Sequence, residues 1–197
     1  MYSKWKGRHN SMAIINGTNS GFLYAGTSPS DDPAETGTGM NYLARAIKDT
    51  APTGATVVTE IGWYNGNATA EANFEVGIYT HNAGDDNPEE KVGDFSTTNA
   101  KGTTAGWKKV TGLNIPITAG TIYWIAIQLD DTVASTEIDS LLEGSYRQDY
   151  RGFQTQLVDP WGSGTGAEQR LALYAVTDAT PSAGGGIEGQ SMPPYVY

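Results

Sequence analysis

Glu60 and Glu75 are the first side chains in this sequence that could do chemistry together. Each lies on the less apolar side of a strand-like run, Ala55–Tyr64 and Asn73–Thr80. Glycoside hydrolysis needs two such carboxylates across one bond, one to protonate the leaving oxygen and one to attack or to activate water. Solvated charge on the wet face of a sheet is the plainer role, and the sequence sets no separation between the two. Histidine occurs as His9 and His81, neither in a metalloprotease helix motif. Ser163 lacks a nucleophile elbow, because Trp161 stands where its first glycine belongs. Gly162, Gly164 and Gly166 are spaced like a phosphate loop, yet no Lys-Ser/Thr follows to meet a phosphate and its metal. The chain has no cysteine, which excludes disulfides, thiolate zinc sites and thiol nucleophiles. The expectation is a protein without a catalytic residue set.

Two groups of residues point to binding instead. Asp85, Asp86 and Glu89 crowd an oxygen-rich segment around Gly84. Calcium wants several converging oxygens from carboxylates and loop carbonyls, so a calcium site here is the one cofactor the sequence offers, with solubilising loop charge as the alternative. Trp161 follows Asp159-Pro160 in a loop setting. An exposed indole there would cover the apolar face of a sugar ring while nearby amides and hydroxyls bond its hydroxyls. Tyr146, Gln148 and Tyr150 precede it in a polar segment and are expected to share that rim. The competing role for Trp161 is to plug one end of the fold. Trp63, Trp107 and Trp124 lie on strand patterns and are expected in the core.

The elements that must position these residues read as strands. Leu, Ile, Val and Phe make up only 34 of 197 residues, a level that raises the question of disorder. Twenty aromatic residues answer it, and 23 Thr and 25 Gly against 9 Leu fit pleated strands joined by tight turns. Thr121–Leu129 carries the strongest pattern, nearly apolar on both sides, and predicts a central strand. Ala55–Tyr64, Asn73–Thr80, Trp107–Ile117, Met40–Ile47 and Leu171–Val176 follow, with Phe22–Tyr24 and Lys91–Phe95 weaker. Ser135–Leu142 reads as a helical turn or two. Turn signals at Asn65-Gly66, Ala83–Asp86, Ala119-Gly120 and Gly162–Gly166 punctuate the runs. The fold class expected is all-β: an antiparallel, jelly-roll-like β-sandwich with extended N- and C-terminal tails.

The organisation follows from composition. Residues 1–19 form a polar arm, 20–178 the sandwich, and 179–197 a glycine-rich linker and tail. The net charge is −10, with Lys4, Lys6 and Arg8 leaving the body more acidic still. Such a body repels nucleic acid and anionic membranes, so neither is an expected partner. No apolar run approaches a membrane span or a secretory signal. Trp5 in the arm and Pro193, Pro194, Tyr195 and Tyr197 in the tail are extended, aromatic and suited to packing on another surface, and they are the expected assembly residues.

Certain phrases are more specific than composition. They are Glu60–Tyr64 leading to Phe74–Thr80, then Gly106–Val110, Ile117–Ile127 and Arg170–Val176. In this order they resemble jelly-roll β-sandwich domains of bacteriophage structural and fibre proteins and of bacterial surface proteins, which are similar in fold to carbohydrate-binding modules. The resemblance covers about Gly21 to Asp178 and implies no catalytic residues. It implies a non-catalytic structural subunit in a virion (fibre, tail or capsid decoration) or another extracellular assembly. The partners expected are copies of itself or other structural subunits. The alternative is a carbohydrate- or receptor-binding module whose partner is a cell-surface glycan.

Overall fold

Tyr123, Ile125 and Ile127 alternate with Trp124, Ala126 and Gln128, and both sets are buried, as a strand in the middle of a covered sheet requires. The structure containing it is a computed structural model that describes residues 13–33, 36–40, 42–66, 74–98, 105–129, 137–142 and 148–181. Its strands are β1 (Gly21–Leu23), β2 (Thr36–Gly39), β3 (Leu43–Thr50), β4 (Val57–Asn65), β5 (Phe74–Asn82), β6 (Asn87–Thr98) and β7 (Gly106–Pro116). They continue with β8 (Ile122–Leu129), β9 (Glu137–Leu142), β10 (Gln148–Gly152), β11 (Thr165–Ala167), β12 (Gln169–Leu171) and β13 (Leu173–Thr177). Among the described residues there is no helix.

The strands form two sheets. The smaller has six strands in the order β11-β10-β3-β8-β5-β6; the larger has seven, in the order β1-β13-β4-β9-β12, with β7 also on β4 and β2 also on β9. β1 joins β13 in parallel, and the other pairs are antiparallel. The molecule is an all-β, mostly antiparallel sandwich. The segment expected to be helical is instead strand β9, where Ile138 and Ser140 alternate inward and the backbone pairs with β2 and β12. Only Ala172 separates β12 from β13, so this stretch pairs first with β9 and then with β4.

The core between the sheets gathers Ile47, Val58, Ile61, Trp63, Phe74, Val76, Ile78, Ile125, Ile127, Ile138, Leu171 and Leu173. Trp63 and Phe74, one from each sheet, meet with ring centroids 4.6 Å apart. Each such side chain contributes about 1.5–3 kcal/mol on burial.

Both outer faces are covered as well. Across the smaller sheet, residues 153–164 lie as a strap. Leu157 and Trp161 sit on Ala44, Ala46 and Ala126, and Tyr79 and Trp124 join the same buried cluster. Alanines leave room for an indole that bulkier strand residues would refuse. The strap is fixed by polar contacts: Tyr79 Oη donates to Val158 O at 2.6 Å, Lys91 N to Asp159 Oδ1 at 3.0 Å, and Leu157 N to Glu75. On the larger sheet, Ile14 is buried against Tyr64 and Ala172, while Leu23, Tyr174 and Val176 form a second cluster beside half-buried Trp107. Glu60 on this face accepts from Tyr174 Oη at 2.7 Å and pairs with Lys109 at 3.0 Å. Glu60 and Glu75 thus stand on the outer faces of different sheets, and each is engaged in holding its own face together. They form no carboxylate pair.

Candidate functional site

At the edge where the chain passes from β11 to β12 it steps from one sheet to the other through Glu168. The interior there changes character. Tyr150 on β10 lies opposite Arg45 on β3, and Gln148 lies opposite Ile47. Since Ile47 and Ile138 are core residues, alternation puts Arg45, Gln148 and Tyr150 on the inner side, facing Thr36, Thr38, Ser140 and Gln169 of the other sheet. Where the rest of the sandwich is filled with aliphatic groups, this edge is hydroxyl, amide and guanidinium. It opens as a groove of about 670 Å³ lined by Thr38, Arg45, Leu142, Tyr150, Ala167, Glu168 and Gln169. A neighbouring depression of about 340 Å³ shares Thr38, Leu142 and Gln169. Leu142 is 79% exposed on its lip.

Arg45 dominates the electrostatics. Its side chain is buried, one Nη2 donates to Gly39 O at 3.0 Å, and its Nε has no acceptor. The guanidinium carbon lies 5.4 Å from the centre of the Tyr150 ring. Burial penalises the cation and pulls its pKa down to about 10, an effect that Tyr150 partly offsets. Gln148 is fully buried, and among the described residues neither its amide oxygen nor its nitrogen has a hydrogen-bond partner. A buried carboxamide without partners is costly, by about 1–3 kcal/mol, and natural folds seldom keep one without a use.

Trp161 does not belong to this site. The indole is fully buried, Nε1 donates to Asp149 Oδ1 at 2.7 Å, and the ring stands edge-on to Tyr79 at 5.1 Å. The exposed ring that sugar stacking requires is absent, so the expectation of a Trp161-centred site is corrected: the strap carries this residue into the outer core. The sheet itself splits the expected rim, because Asp149 points outward to Trp161 while Gln148 and Tyr150 on either side of it point inward. Tyr146 lies outside the described residues, as do Trp5, Pro193, Pro194, Tyr195 and Tyr197.

The acidic turn does not assemble a cation site either. Asp86 Oδ1 is 2.7 Å from Lys48 Nζ, Asp85 is exposed beside Asn82, and Glu89 is exposed. Among the described residues no three His, Cys, Asp or Glu groups converge on a metal position. His81 Nδ1 accepts from Trp124 Nε1 at 3.2 Å and so serves the outer face of the smaller sheet. The glycines of Gly162–Gly166 also have a structural reason. A Cβ on Gly164 would collide with the Asp149 carboxylate, so glycine there lets the chain close over the Trp161–Asp149 bond.

Arg45, Thr38, Glu168 and Gln169 escaped the sequence reading. One signal was present: within Leu43–Ile47, alternation sets Arg45 on the same side as Leu43 and Ile47, a charge directed at the core. Compared with protein-family models, with curated proteins and with solved structures, the chain matches none. No helix among the described residues is long and apolar enough to cross a membrane.

Proposed function

We propose that this chain is a non-catalytic, jelly-roll-like structural subunit of a virion or another extracellular assembly, held to its neighbours by its N-terminal arm (residues 1–19) and C-terminal tail (residues 179–197). The observation that carries this reading is where the body delivers those segments. Ile14 packs on Tyr64 and Ala172, and Ala179 O accepts from Ala25 N, so both are handed off from the larger sheet. The test is light scattering on the full-length protein beside the full-length protein carrying Trp5→Ser, Tyr195→Ser and Tyr197→Ser. A defined oligomer that falls to a monomer on substitution supports the proposal. An oligomer of unchanged mass removes the aromatic tails from it.

A second reading is favoured by one specific observation, the polar groove at the β10–β12 edge. In it the outward part of the subunit binds a glycan or a receptor. The groove's volume lies in the range of about 300–1,000 Å³ typical of small-molecule sites. The two readings are compatible, as a fibre or decoration protein can both assemble and adhere.

A further inference from the structure

The groove supplies more than a volume. Among the described residues Arg45 stands in its wall as a buried cation with no ion pair and an Nε–H without an acceptor. Beside it, Gln148 keeps a whole carboxamide unpaired in the same inner layer. Taking a guanidinium out of water without a counter-charge is expensive, and a carboxylate meeting its planar fork with two parallel hydrogen bonds restores most of what burial costs. The remaining lining is of a different kind. Thr38 and Gln169 can both donate and accept, Glu168 on the exposed rim accepts, and Leu142 and the Tyr150 ring offer apolar surface. Hydroxyl-bonding groups around an apolar patch suit a sugar ring, and the cation selects a sugar that bears a carboxylate.

Resting on the reading of this groove as a glycan site, we infer that it takes a carboxylate-bearing sugar, with Arg45 holding the carboxylate and Thr38, Glu168 and Gln169 bonding hydroxyls. The acceptor role of Glu168 and the donor role of Arg45 are thus opposed in sign. Removing the first strengthens binding of an acid, and removing the second takes away its advantage over the uncharged sugar.

The test uses the full-length ¹⁵N-labelled protein and the methyl glycosides of glucuronate, galacturonate and N-acetylneuraminate, each beside its methyl ester. The ester keeps the size and hydroxyls and removes the charge. At least one acid should move the Arg45 Nε–H resonance in a saturable way at millimolar concentration. Its ester should bind about tenfold more weakly or worse, as loss of a charge-assisted bidentate contact predicts. Arg45→Gln should level the pair. Glu168→Gln, an exposed substitution that leaves the fold alone, should tighten the acid. If acid and ester bind equally in this groove, the glycan reading stands and the carboxylate inference falls. If neither acids nor esters perturb the groove, both fall.

Discussion

Asp149 and Gln148 are neighbours on one strand, yet they belong to two regions that solve burial in opposite ways. Under the strap, three buried donors are paired: Trp161 Nε1 with Asp149, Tyr79 Oη with Val158 O, and Gln128 Nε2 with Gln154 O at 2.9 Å. At the edge groove, Arg45 Nε in its wall and both amide atoms of Gln148 in the inner layer next to it are buried with no hydrogen-bond partner among the described residues. Pairing holds a strap onto a sheet, whereas an unpaired cation in the wall of a groove can be met by a ligand from outside. The first region is therefore read as structural and the second as a binding surface, although the sequence had placed the binding tryptophan in the first.

The strongest way to break that contrast is Trp161→Ala. Truncating a fully buried indole should cost about 3–5 kcal/mol, since the cavity adds to the lost transfer energy. Urea unfolding measures it. A loss below about 1 kcal/mol would put Trp161 back on the surface. Asp149→Ala comes next, at about 1–3 kcal/mol, because it strands a buried N–H. Combined with Trp161→Phe, which removes that N–H, the two losses should sum to less than their separate values. Full additivity would mean that the hydrogen bond does not couple strap and sheet.

Alkaline pH attacks the covered outer faces. Burial, reinforced by the Glu75 carboxylate, pushes the Tyr79 phenol well above its usual value, and burial with the Glu60 hydrogen bond does the same for Tyr174. Burial and a hydrogen bond to Asp32 push Tyr64 up to about 12. In the unfolded chain these phenols lose protons from about pH 10, so above that pH the unfolded state binds fewer protons than the folded one. Their contribution is complete below about pH 10 and drains away as pH rises through the folded values. Tyrosinate absorbance at 295 nm should therefore rise in step with loss of the fold, and a smooth titration of these phenols with the near-ultraviolet dichroism intact would contradict the packing of both faces.

What the sequence disclosed and what it hid fall along the same line. Strands β3, β4, β5, β7, β8 and β13 announce themselves because Val, Ile and aromatic residues alternate, and burial against the facing sheet depends on the same alternation. Strands β2, β9, β10, β11 and β12 wall the groove beside β3, and Thr36, Thr38, Ser140, Gln148, Tyr150 and Gln169 interrupt the few apolar residues, Ile138, Leu142 and Leu171, on their inner side. Apolar periodicity is weak in strands whose buried side is largely polar, so apart from β3 most of the elements forming the candidate site were passed over. The sequence also placed Trp161 in a loop correctly. What it did not disclose is that this loop folds back over a floor of alanines from β3 and β8, the former over a hundred residues away in the chain.

The finest test compares one residue type on the two sides of the smaller sheet. Gln128 on β8 and Gln148 on β10 are both essentially fully buried. Gln128 points toward the strap and donates to Gln154 O, while Gln148 points into the inner layer and has no partner. Methionine matches glutamine in length and shape and removes the amide. Gln128→Met should cost about 1 kcal/mol, since it leaves the Gln154 carbonyl without its donor. Gln148→Met strands nothing and relieves an unpaired carboxamide, so stability should stay level or rise by about 1 kcal/mol. Chemical denaturation of the two variants side by side separates the cases, with similar slopes expected because neither changes the surface exposed on unfolding. Equal losses at both positions would show that Gln148 is satisfied in solution and acts as part of the scaffold, and the contrast between a closed face and a waiting groove would not survive that result.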